Sequence, residues 1–167
     1  MKDLVIIEAQ LTRVLSFFPR VDTKAAGLFT INSAILTLSA FNVEAGDFNR
    51  WYIAVPGAFL VIGLVASYTF IYKCNFPELK GGQSSLIYFS AIKERTETSY
   101  KTEFEAVSEE EYRADMIGQI WRNSHILAVK YQAIAMAIRL TLATLIPFAV
   151  FLVMTAIEHS RLPIVGN

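Results

Sequence analysis

The side chains that could do chemistry are few. The chain has one cysteine, Cys74, and two histidines, His125 and His159, in 167 residues. A disulfide needs two cysteines and a structural zinc needs four nitrogen or sulfur ligands, so both scaffolds are excluded. His125 stands between Ser124 and Ile126 with no carboxylate three or four residues away. A general base needs an orienting partner, so a packed or solvated histidine is the simpler reading. The acidic run Glu109 to Glu111 follows Ser108 in the Ser-x-x-Glu spacing of a capping box, which places carboxylates over the positive end of a helix and explains them without acid-base chemistry. Cys74 ends an apolar stretch and reads as a small interfacial residue rather than a reactive thiol. Gly81, Gly82, Gln83, Ser84 and Ser85 leave two readings open: a nest of backbone N–H groups and hydroxyls for a phosphate, or a plain turn capping a helix. The string is not a P-loop, because no lysine follows at the required place and no strand precedes it. No nucleophile, base or metal set assembles, so the chain is expected not to be an enzyme.

The elements that carry these residues are greasy. Apolar residues make up 54% of the chain and charged ones only 18%, with a mean hydropathy of +0.42. Fifteen basic and fifteen acidic groups cancel, which removes the electrostatic footprint of a general nucleic-acid binder; no nucleic acid polymer is expected as a partner. Three runs lack any charged residue or histidine: 25–43, 51–72 and 140–157. Each approaches the ~20 residues that cross a hydrocarbon core of ~30 Å as a helix. They are read as three transmembrane helices in the lipid bilayer. Glu8, Gln10 and Arg13 interrupt any signal-like apolar run, so the N-terminus is expected to be retained. Thirteen of the fifteen Lys and Arg lie before the first run or between the second and third; only Arg50 and Arg161 lie elsewhere. The positive-inside rule then predicts a cytosolic N-terminus, a cytosolic middle segment and an outer C-terminus in a multi-pass protein. Trp51, Tyr52, Tyr68 and Tyr72 fit interfacial aromatic belts or core packing.

Leu4, Ile7, Leu11, Val14, Leu15 and Phe18 recur at helical spacing, which predicts a cytosolic amphipathic helix over residues 1–18. Few basic residues flank its stripe, so it is expected to pack on another cytosolic helix rather than lie on the membrane. That helix begins at the Ser108 cap. Tyr112, Met116, Ile120, Leu127, Tyr131, Ile134 and Ile138 keep the period, and nothing breaks the pattern before the third span. A stalk over 108–139 is therefore predicted to run unbroken into the span at 140–157. Together they would be about 75 Å long at ~1.5 Å per residue, with Pro147 as the one kink. Residues 73–107 form a cytosolic loop and helix segment, and 158–167 a short outer tail.

Uncharged spans argue against a proton relay or voltage sensor. Their polarity is mild: Thr30, Asn32, Ser33, Thr37, Ser39 and Asn42 in the first, Gly57, Gly63 and Ser67 in the second. Small and hydroxylated residues serve close helix packing. They would equally line a water path, which three spans cannot enclose alone, so a pore would require a homo-oligomer.

Three strings, Arg20-Val-Asp-Thr-Lys-Ala25, Ser84-Ser-Leu-Ile-Tyr-Phe89 and Gln119-Ile-Trp-Arg-Asn-Ser-His-Ile-Leu-Ala-Val-Lys-Tyr131, resemble the small transmembrane effectors of the Pycsar antiphage systems. With their spacing they cover nearly the whole chain. Many relatives are expected to carry Gly-Asp after the Tyr-Phe pair, where this chain has Ser90-Ala91; an acidic ligand contact there is not carried over. The resemblance implies a partner cyclase that makes a cyclic pyrimidine mononucleotide, cUMP or cCMP, on infection, and an effector that impairs the bacterial inner membrane in abortive infection. Its single phosphate charge would want a cation or donor nest, and its base a ring or an amide. The candidates are Arg20, Lys24, Lys93, Arg122 and Lys130 for charge, Ser84 and Ser85 as phosphate donors, and Tyr88, Gln119 and Trp121 for the base. Lys24, Lys130 and Arg139 would serve equally as snorkelling anchors at the inner leaflet. The fold class is all-α: an integral membrane protein with three spans and a cytosolic helical bundle. The competing function is a membrane-anchored scaffold whose cytosolic helices dock a partner protein without a nucleotide signal. No cofactor is expected.

Overall fold

The computed structural model describes residues 2–76 and 85–161, and among these every regular element is helical. In chain order they are α1 (Lys2–Leu15), α2 (Phe17–Phe41), a 3₁₀ turn (Ala45–Asn49), α3 (Trp51–Asn75), α4 (Phe89–Lys93), α5 (Glu97–Ala106) and α6 (Glu109–Arg161). Three of the helices are long and apolar enough to cross a membrane. The all-α membrane architecture is therefore as the sequence implies.

The N-terminal helix does not run through Phe18. It stops at Leu15, and α2 starts at Phe17. Pro19 has no N–H to donate to the Leu15 carbonyl, so an unbroken helix would lose a bond there; as the third residue of α2, Pro19 leaves only an end group unmade. Ser16 closes the joint by bonding back, with its N–H to the Thr12 carbonyl at 3.0 Å and its Oγ–H to the Arg13 carbonyl at 2.8 Å. Val14 is buried and Leu4, Ile7 and Leu11 are half-buried, so the stripe faces protein, while Leu15 faces out at 45% exposure, off the stripe.

Helix α6 is one unbroken helix of 53 residues that passes through Pro147, so the third span is continuous with its stalk. Its start is the capping box: the Glu111 carboxylate accepts from the Ser108 N–H at 3.0 Å and hydroxyl at 2.7 Å, and the Glu111 N–H donates to Ser108 Oγ at 3.2 Å. These donors hold the Glu111 carboxyl below its ordinary range, the Ser108 backbone N–H foremost.

The chain folds as two compact units. One comprises residues 1–21 and 77–130, the other 22–76 and 131–167, and α2 and α6 contribute to both. In the second unit Ile35, Ile53, Leu60, Leu64 and Phe151 form a buried core. At one end of that unit the 3₁₀ turn is clasped to the end of α6. Tyr52 Oη donates to Glu158 at 2.7 Å, Arg50 pairs with the same carboxylate, and His159 Nε2 lies 3.2 Å from the buried Asp47 carboxylate.

Candidate functional site

In the first unit the polar residues converge on Ser85. Its Oγ–H donates to Asp115 Oδ2 at 2.9 Å, and its Oγ accepts from Ile87 N–H at 3.1 Å, Tyr88 N–H at 3.0 Å and Gln119 Nε2 at 2.8 Å. The Leu86 N–H donates to the same Asp115 oxygen at 2.8 Å. Asp115 and Gln119 are four residues apart and so lie on one face of α6. The turn before α4 is thus bolted to the long helix by an internal carboxylate, which occupies the donors that a phosphate would use. Arg95 fastens the other side: it donates to the Ser85 carbonyl at 3.1 Å, the Ala91 carbonyl at 2.8 Å and Glu103 at 2.8 Å. Ser99 also donates to Glu103 at 2.7 Å, and Tyr100 Oη to the Leu86 carbonyl at 3.2 Å. Ser99 first and Arg95 second hold the Glu103 carboxyl below its ordinary range.

Beside this network is a cleft of about 510 Å³ lined by Leu86, Glu103, Val107, Glu111, Tyr112 and Asp115, among others. Its three carboxylates make it hostile to an anion. Burial, and then the charge of Glu8 on α1, push the Tyr112 phenol up.

A further cation lies along the face that carries Asp115 and Gln119. Arg122 follows Gln119 by three residues, and its Nη1 is buried with no hydrogen-bond partner among the described residues. A guanidinium stays charged at any physiological pH, and a buried donor left unpaired is costly. Lys130, eight residues on, is 6% exposed with its ammonium 5.7 Å from the centre of the Phe18 ring.

The remaining candidates are scattered. Arg20 is exposed over the Phe17 ring at 5.1 Å, and Lys93 is exposed. Trp121 is 66% exposed and meets His125 edge-on at 4.7 Å. Tyr88 is half-buried against Phe89 at 4.9 Å. Lys24 belongs to the second unit, over the Tyr131 ring at 5.5 Å. Ser84 lies outside the described residues. Asp115, Arg95 and Glu103 organise the network and were not singled out by sequence reasoning; the Asp115, Gln119, Arg122 spacing was the available signal.

The sequence model of the Pycsar effector protein domain matches residues 6–157 of this chain. The chain belongs to the Pycsar effector family. Neither curated proteins nor solved structures yield a significant match. Membership makes the protein an effector of antiphage defence, and the three apolar helices make it a multi-pass membrane protein.

In this Pycsar effector the polar groups of the spans are used in two ways. Asn32, Ser67 and Thr141 are buried together in the second unit. Asn32 Nδ2 donates to Ser67 Oγ at 2.8 Å, and Thr141 Oγ1 donates to Asn32 Oδ1 at 2.9 Å. Ser67 Oγ lies 2.9 Å from Thr141 Oγ1 and donates to the Ala137 carbonyl at 3.2 Å. One side chain from each of α2, α3 and α6 thus closes a triad. Gly63, one turn before Ser67, lies so close to α6 that a Cβ would collide with Thr144 Oγ1. Asn32, Ser67 and Gly63 therefore pack helices within one chain. Thr30 and Thr37 face outward, with Thr30 bonded back to the Ala26 carbonyl at 3.1 Å, and Ser33 bonds to the Phe29 carbonyl and the Tyr68 hydroxyl at 2.8 and 3.0 Å.

Proposed function

We propose that this effector senses a cyclic pyrimidine mononucleotide, cUMP or cCMP, through its first unit and answers by impairing the bacterial inner membrane with its spans. The observation that carries the sensing half is the buried Nη1 of Arg122, which has no hydrogen-bond partner among the described residues. A ribose cyclic phosphate supplies one charge and two exocyclic oxygens, which suit a guanidinium. Gln119 offers an amide beside it, already engaged with Ser85, so ligand contact there would compete with the bolt on the turn. Residues Ser85 and Gln119 accordingly act as positioning groups and Arg122 as the anion contact. Arg122 and Thr141 stand on the same continuous helix, which gives the signal a covalent route from the first unit to the polar triad of the spans.

The surplus of basic residues in the N-terminal and middle segments supports a cytosolic first unit, with the C-terminus outside. The role is non-enzymatic in this reading: the damage is done by rearranged or assembled spans. Since Asn32, Ser67 and Thr141 are consumed within one chain, membrane breach requires either rupture of the triad or assembly of a homo-oligomer through outward positions such as Thr30 and Thr37.

The test is dye release from sealed liposomes carrying the full chain, with cUMP, cCMP and the purine cyclic mononucleotides added singly. Release with one pyrimidine nucleotide, lost in Arg122→Gln, is the expected result. Sealed vesicles under every nucleotide, with the protein inserted and helical, would overturn it in favour of a docking scaffold.

A further inference from the structure

The second unit holds a cavity of about 470 Å³ bounded by α2, the 3₁₀ turn, α3 and α6, with Leu36 and Ala40 on one wall, Ala58 and Val61 on another, and Phe151 behind. Only two polar residues reach it, Ser39 and Asp47, and both are spoken for. Ser39 Oγ–H donates to the Ile35 carbonyl at 2.8 Å, while Asp47 Oδ2 accepts the Glu44 N–H at 2.9 Å and lies 3.2 Å from His159 Nε2. A water in such a space would need two to four polar partners, and twelve of the fourteen lining residues offer no polar side chain. Left empty, the walls would lose dispersion contacts over the whole volume. Several lining residues, Leu36, Val61 and Ile62, are 46 to 64% exposed, so the cavity opens on the surface that spanning helices present to lipid. Hydrocarbon is the medium there.

We propose that this cavity is a specific site for one lipid acyl chain, seated between α2 and α3 beneath the 3₁₀ turn. It is distinct from the nucleotide reading of the first unit and does not depend on it. The occupant is defined by the walls: a flexible, uncharged chain fits a volume within the range of ligand cavities and lined almost wholly by aliphatic and aromatic carbon. Seated there, the chain acts as a removable spacer that fixes how closely α2 approaches α3.

The experiment uses the full chain in phosphatidylethanolamine and phosphatidylglycerol vesicles containing a trace of lipid with a diazirine near the middle of one acyl chain. Irradiation and peptide mapping should place adducts on Leu36, Ala40, Ala58 and Val61 at several times the yield on Leu142 and Leu145, exposed positions of α6 that lie outside the cavity. Ala58→Phe, which fills the space from an exposed position, should reduce the cavity adducts at least threefold and leave the α6 adducts unchanged; Ala40→Leu serves as the second filling variant. Equal labelling of all exposed apolar positions, or cavity labelling unmoved by both variants in protein of unchanged helicity, would overturn the proposal.

Discussion

Replacing Asn32 with leucine separates the two uses to which a polar residue in a span can be put. Leucine keeps the approximate size of the side chain and removes the amide, so the perturbation is loss of the bond to Ser67 at 2.8 Å and of the bond from Thr141 at 2.9 Å. Neither partner is orphaned, because Ser67 and Thr141 lie 2.9 Å apart and Ser67 also reaches the Ala137 carbonyl. Interhelical hydrogen bonds in membranes average about 0.6 kcal/mol, so two contribute about 1.2 kcal/mol, roughly a sevenfold fall in the folding equilibrium. Reversible unfolding in mixed micelles titrated with SDS, followed by far-ultraviolet circular dichroism, measures this directly. Asn32→Leu should lose about 1 kcal/mol and Thr37→Leu, at an exposed position, less than about 0.5 kcal/mol. A double-mutant cycle with Ser67→Ala should return a coupling near 0.6 kcal/mol. If Asn32→Leu were as stable as the parent, showed no coupling to Ser67 and yet abolished ligand-driven dye release, the packing argument would be refuted and Asn32 would be a water-lining group.

The other predictions concern both units. Asp115→Ala removes the acceptor of the Ser85 hydroxyl and the Leu86 N–H, and should cost about 1–3 kcal/mol, with faster hydrogen exchange from Leu86 to Phe89 as the local readout. Gly63→Ala should destabilise by about 1–3 kcal/mol through overpacking against Thr144, and Thr144→Ala should restore part of the loss in the same SDS titration. The carboxyl of Glu111 is held below its ordinary value of 4.5, so its capping contribution is complete above that pH and disappears as acid takes the solution through the lowered value. Thermal melts of the parent below pH 4.5 should therefore fall more steeply than those of Glu111→Gln, and parallel curves would contradict this. Arg122→Gln should retain helicity and lose at least tenfold in the nucleotide concentration needed for dye release, which calorimetry of direct binding would confirm independently.

The elements of this effector are written locally. Runs 25–43, 51–72 and 140–157 carry no charge, so their helices follow from length and composition alone, and the Ser108 to Glu111 box sets the start of α6 through bonds only three residues apart. Pro19 likewise marks the end of α1 by a missing N–H four residues from Leu15. What tertiary structure alone decided is which polar groups face which. Asn32, Ser67 and Thr141 share no local pattern, being 35 and 74 residues apart along the chain, and their triad exists because three apolar helices leave no water to compete for those hydroxyls. The same holds for Ser85, which the sequence leaves between an anion nest and a turn. The four partners of its hydroxyl include Asp115 and Gln119, 30 and 34 residues away, and only folding brings that carboxylate to the donors. Helical periodicity is a property of neighbours, whereas satisfying a buried polar group is a property of the whole packed unit.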